Sequence, residues 1–345
     1  MFRVTSLTNM SEAQLNRLIK RFALLFLVVF VVFAGVYAID RFRAKPAPIV
    51  DQRVTTLEEA VRKDPSDVKS RGELADLYFA EKRFDDAITQ YTALIDAKKD
   101  VELAALGRGN AYRELQKYDL ATADYQTVVS IGLTGEMANV DSSLEAAYYG
   151  LGVIDLAQSK PADAVTQLLN ATGINRTDAD ALNELGIAYT QNNQPDKAVV
   201  ALGQAVSLVP VSWAEPYQNL AAAYTKLGKP ELAAYASAMA MLESGDPTGA
   251  EAELKKLVTG PAAAEATVGL GILFEEKGDS ASAAQWYAKS LAIDPSNESA
   301  QLGIKRVSGG DANASPLVSP SAASPSGSPA ASASPSAQPS PAGSN

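Results

Sequence analysis

The chain has 345 residues, no cysteine, no histidine and a net charge of −10. Those absences exclude disulfides, thiol redox chemistry, Cys/His zinc sites, haem ligation by His and any Ser–His or Cys–His nucleophile pair. Residues 1–53 carry 8 Lys/Arg against 3 Asp/Glu, which leaves −15 on the remainder; such a body lacks the basic face that nucleic-acid binding requires, so no nucleic-acid partner is expected.

In chain order, a tail over residues 1–21 leads into "FALLFLVVFVVFAGVYAI", Phe22 to Ile39, 18 residues without a charge. As a helix the run is about 27 Å long, enough for a bilayer core. It is apolar on every face, unlike an amphipathic core helix. Lys20 and Arg21 precede it; Asp40, Arg41 and Arg43 follow. The run predicts a single-pass anchor. A cleaved signal peptide ending at Val36-Tyr37-Ala38 is the alternative. Basic residues flank both ends, so the positive-inside count is close to a tie; the short N-terminal tail favours a body outside the cytoplasm. Ala34 and Ala38 form a small-xxx-small pair that would suit a homodimer through the anchor. A linker over 40–53 follows.

Beyond it the sequence repeats. Gly186, Tyr189, Ala198 and Ala205 set a frame of small and aromatic residues at offsets 0, 3, 12 and 19. The same frame opens at Ala75, Gly109, Gly152, Ala221 and Gly271, in steps of 34, 43, 34, 35 and 50 residues. Each unit reads as two short antiparallel helices, A and B. A small residue on helix A lets helix B approach, and the Ala at offset 12 returns the close contact. Breaker-rich links such as "NNQPD" and "KLGKPE" separate the two. "TTLEEAVRKDPSD" aligns as a lone B helix before the first unit. "GDPTGAEAELKKLVTG" supplies the extra half unit within the 50-residue step, so that the helix near Leu232–Glu243 serves two units.

A period near 34 with these residues resembles the tetratricopeptide repeat (TPR) family over residues 54–306, about six repeats plus half-repeats. The resemblance implies an all-α, right-handed superhelical solenoid of helical hairpins, here preceded by one transmembrane helix. It also implies a groove lined by the A helices that binds a protein or peptide. Residues 307–345 end the chain; the 36 from Gly310 hold 11 Ser, 9 Ala and 7 Pro, with six Ser-Pro dipeptides. They read as a disordered spacer, with a glycosylated stalk as the alternative.

Other motifs give way to the repeat. The pairs Gly107-Arg108-Gly109, Gly150-Leu151-Gly152 and Gly269-Leu270-Gly271 place their second Gly at the packing position rather than between a strand and a helix, where a phosphate loop would need it. "DADALNE" lacks the turn Gly of a calcium loop. Asp85-Asp86 and Glu275-Glu276 are sequence neighbours that do not face one another on a helix. No cofactor, metal or catalytic residue is assigned, and the chain is read as a non-enzyme.

The groove positions of the family fall on Asn110 and Arg113, then Tyr149, Val153 and Leu156, then Asn183, Ile187 and Thr190, then Gln218, with Val268, Ile272 and Glu275 in the last unit. Chaperone-binding members hold a carboxylate with a Lys/Asn clamp; here Gly72 and Asp76 stand where its first Lys and Asn would be, and Asn110 alone matches. The expectation is a membrane-anchored scaffold, of bacterial envelope type, that holds a partner segment in the groove. The alternative is an accessory subunit of a secretion, pilus or cell-wall machine that docks by its convex face.

Overall fold

Many of the helices start on identifiable residues. In the computed structural model, which describes residues 49–309 apart from 136, 210 and 211, together with isolated positions between 16 and 33, every regular element is helical. The chain divides into two units, 1–64 and 65–345. The first contains α1, Ile49–Lys63. The predicted anchor and terminal tail lie outside the described residues, but for those isolated positions and the last turn before 310. Among the described residues no helix is long and apolar enough to cross a membrane.

The second unit is a run of hairpins: α2 (Val68–Ala80) with α3 (Phe84–Asp96), α4 (Val101–Glu114) with α5 (Tyr118–Gly132), α6 (Ser142–Ala157) with α7 (Pro161–Ile174), and α8 (Ala179–Gln191) with α9 (Pro195–Leu208). Then come α10 (Ala214–Lys226), α11 (Pro230–Glu243), α12 (Pro247–Lys256), α13 (Ala263–Glu276), α14 (Ser280–Ile293) and α15 (Glu298–Val307). Three A helices begin on aspartate caps: Asp67 accepts from the Ser70 amide, Asp141 from the Ser143 and Leu144 amides, and Asp178 from that of Ala181. Four helices instead begin on proline, Pro161, Pro195, Pro230 and Pro247. Proline fits there because the first helical turn has no partner for its amide anyway.

Between the A and B helices one residue adopts a left-handed conformation. Glycine fills that place at Gly228 and Gly278, but Lys82, Gln116, Ser159 and Asn193 hold it at φ between 56° and 61°. The following amide bonds back to the helix, as Arg83 does to the Tyr78 carbonyl at 2.8 Å. The left-handed turn costs a non-glycine residue about 1 kcal/mol or more, partly offset by the lower chain entropy of a residue with a Cβ. Gln116→Gly should therefore raise stability slightly, by less than about 1 kcal/mol, as a small upward shift in the thermal melt.

The interior is built from alanine and tyrosine. Ala87, Ala121, Ala164, Ala198 and Ala283, all at offset 12, are fully buried. Glycines on helix A meet large side chains of helix B: a Cβ at Gly152 would lie 2.5 Å from Leu168 Cγ, and one at Gly186 2.3 Å from Leu202 Cγ. The first glycine of two Gly-x-Gly pairs has its own reason. A Cβ at Gly107 or Gly150 would run into the ring of Tyr91 or Tyr125 from the preceding unit. Arg108 adds a bidentate ion pair to Asp124, at 2.7 and 2.8 Å, between α4 and α5.

Consecutive A helices touch, α2 with α4, α4 with α6, α6 with α8 and α8 with α10, whereas the B helices between them splay apart. The closer spacing on the A side makes that side the concave one. The long step is explained by α11, which packs on α10, α12 and α13. Helix α13 is in turn touched by α11, α12, α14 and α15, and ten of its residues are buried. Val268 and Ile272 are each 2% exposed. The expectation that these two line an open groove is therefore corrected: the inserted helix pair covers the face that earlier units leave free.

Candidate functional site

The concave face is assembled from matching places on successive A helices. Along α4 and α2, Asn110 lines a cleft of about 400 Å3 with Asp76, Phe79, Tyr91, Leu103 and Leu106. The Tyr91 hydroxyl donates to Asp76 at 2.6 Å and the Tyr125 hydroxyl donates to Asn110 at 2.7 Å. A B-helix tyrosine thus reaches through the wall and fixes a polar side chain on the inner face. Burial of the ring pushes the Tyr125 phenol up to about 12, so it stays a donor at any physiological pH. These tyrosines were not among the expected site residues. Their signal in the sequence is the offset of 16 from the small residue, occupied by Tyr91, Tyr125 and Tyr287.

Farther along, Arg113, Tyr149 and Glu184 come close enough to act on one another's charge. The Tyr149 phenol is raised to about 12, by burial first and then by the carboxylates of Glu184 and Asp180, with Arg113 opposing. Burial, followed by the like charges of Glu215 and Asp180, pushes Glu184 up to about 7. The Glu145 carboxyl is also raised, by burial and by its contact with Asp178. Tyr149, Val153, Leu156 and Ile187 are half-buried, and Thr190 donates to the Gly186 carbonyl within its own helix. Gln218 is exposed and lines a separate hollow between α10 and α11.

Asn183 departs from the expectation of a surface contact. It is 2% exposed, donates to Glu215 and accepts from Asn219 at 3.0 Å. Its amide ties α8 to α10, so it serves the stacking of two units. A partner could not reach it without breaking those bonds.

The crowded carboxyls give the body a pH dependence. A carboxyl raised above its unfolded value adds stability that is fully present below the unfolded pKa and lost as pH rises through the folded one. Glu145 and Glu184, with Glu243, which is raised to about 7 by its burial, therefore make the protein less stable between pH 5 and pH 8. The melting temperature should fall across that window by more than about 3 °C, and Glu145→Gln with Glu184→Gln should remove much of the fall. A melting temperature that rises from pH 5 to pH 8 would contradict the assignment.

The sequence profile described as "Tetratricopeptide repeat" matches residues 54–102, 74–132, 146–210 and 235–298, together more than half of the chain. The chain belongs to the tetratricopeptide repeat family. The last match opens at Tyr235, inside α11, in keeping with that helix beginning a second TPR pair. No curated protein matches the chain. Among solved structures, MamA is 23% identical with a TM-score of 0.44, over 52% of this chain and 93% of that one. A tetratricopeptide repeat protein from Parabacteroides merdae is 18% identical with a TM-score of 0.43, over 75% and 92%. YrrB, described as a TPR protein with an unusual peptide-binding site, is 18% identical with a TM-score of 0.45, over 58% and 97%. None of these superposes closely enough to indicate what this TPR chain binds.

Proposed function

We propose that the chain is a membrane-anchored scaffold whose TPR groove holds an extended segment of a partner protein. The convergence of Arg113, Tyr149 and Glu184 on the inner face carries this reading. An aromatic ring, a cation and a carboxyl share one strip there, beside the half-buried Val153, Leu156 and Ile187. Such a strip offers apolar pockets for alternate side chains and polar groups that set orientation.

The anchor reading rests on the uncharged run Phe22–Ile39. Leu25, Phe26, Val29 and Phe33 are helical and more than half exposed, as lipid-facing side chains would be. Anchoring confines the groove to the layer beside the bilayer and raises its effective concentration for a partner there.

Two measurements test the proposal. The protein should stay with membranes through carbonate extraction, keeping its N-terminus. Arg113→Glu should weaken co-isolation of the partner at least tenfold while leaving the helical circular dichroism spectrum unchanged. Release into the carbonate supernatant would remove the anchor, and undiminished co-isolation would remove the groove.

A further inference from the structure

A further hollow lies on the other side of the array. It measures about 630 Å3 and sits between the B helices α7 and α9, with α8 as its floor. Its walls include Leu169 on α7 and Val200 and Leu208 on α9, which are 47%, 54% and 39% exposed. Leu185 lies at its base and Arg176 at its rim.

At the place of Val200 the repeats that open at Ala75, Gly109, Gly152 and Gly271 carry Thr89, Ala123, Thr166 and Gln285, while the one that opens at Ala221 carries Tyr235, whose ring is buried. Helix α9 carries apolar side chains on two faces, and on the face toward the hollow Val199, Val200 and Leu208 are mixed with Gly203, Gln204 and Ser207. One face, with Ala198, Leu202 and Ala205, is buried in the core. The other, from Val199 through Leu208, lines the hollow over about 13 Å of helix. Its lining residues recur every three to four positions, the spacing that seats another helix, ridge into groove. Nothing in the fold offers a strand edge there, since every described regular element is a helix.

Charge narrows the occupant further. Arg176 makes no ion pair or hydrogen bond among the described residues, although the chain is strongly acidic overall. A cation left unpaired beside an apolar trough complements a carboxylate on whatever fills it.

We infer that the α7–α9 hollow is a second docking site, separate from the TPR groove, for an amphipathic helix of another protein. That helix presents an apolar face about two and a half turns long and an Asp or Glu opposite Arg176.

The cysteine-free full chain, in its native membrane, suits site-specific photo-cross-linking. p-Benzoylphenylalanine in place of Gln204, an exposed residue on the hollow's wall, should cross-link to one partner peptide. Mass spectrometry should show apolar residues spaced three and four apart in it, with an acidic residue among them. The same probe at Thr89 should not yield that peptide. Arg176→Glu and Val200→Asp should each lower the yield at least fivefold with the thermal melt unchanged, and changing the partner's acidic residue to Lys should restore it against Arg176→Glu. A cross-link to a second copy of this chain would overturn the proposal. So would one to its own residues 310–345, a yield indifferent to Arg176→Glu, or no cross-link. None of these outcomes bears on binding in the TPR groove, which Arg113→Glu tests separately.

Discussion

Gly186→Leu is expected to unfold the units that meet at α8 and α9, at a cost of about 3 kcal/mol or more. A Cβ at that position would lie 2.3 Å from Leu202 Cγ and 2.7 Å from its Cδ2. Leu202 is fully buried in the largest core cluster, so it has no free direction in which to move. Even alanine would push the two helices apart, and leucine adds three more carbons at the point of closest approach. In an array whose units hold one another by nearest-neighbour contact, the loss falls first on the flanking hairpins. Gly72→Ala gives the opposite sign. It lies within α2 with nothing within 4 Å of its would-be Cβ, so alanine there removes only the entropic penalty of a helical glycine, a gain of about 0.5–1 kcal/mol. Thermal melts of the two variants check the contrast. A Gly186→Leu protein that melts with the wild type would mean that helix A and helix B are not in contact at this frame position.

The frame behind that contrast is visible in the sequence because packing in a repeat recurs at fixed offsets. Small residues at offsets 0 and 12 mark where backbones nearly touch, whatever else the unit contains. What the frame hides is contact between units. Asn183 looks like one more exposed amide on a groove position, yet its partners Glu215 and Asn219 come from the next A helix, 32 and 36 residues farther on. Val268 and Ile272 occupy groove positions by count and are buried by the inserted α11–α12 pair, a consequence of how the extra half unit stacks rather than of any local pattern. The first glycines of the Gly-x-Gly pairs make sense once the tyrosine of the preceding unit is seen lying against them. The hollow between α7 and α9 was hidden for another reason. An apolar Val200 beside a buried Val199 reads as more core until the splay of the B helices exposes it.

Tyr125→Ala should cost about 3–5 kcal/mol, the range for losing a large buried ring, and its effect should stay local. The ring is fully buried and wedged between two glycines. A Cβ on Gly109 of its own unit would lie 3.0 Å from it, and one on Gly150 of the next unit 2.5 Å. It therefore joins α5 to both α4 and α6, and the helix backbones beside it cannot collapse far enough to fill the space it leaves. Its hydroxyl holds Asn110 on the concave face at 2.7 Å, so the same ring links core stability to the shape of the groove. Tyr125→Phe separates the two roles. It keeps the ring and removes one hydrogen bond, at about 1 kcal/mol, while freeing Asn110 to turn toward solvent or a bound segment. Hydrogen exchange resolves where the loss falls. In Tyr125→Ala, amides of α4, α5 and α6 should lose protection while those of α13 and α14 keep theirs, because only adjacent units share contacts with the ring. Uniform loss across the array would show that the chain unfolds as one cooperative block, and a silent Tyr125→Ala would show that the ring does not join the two units.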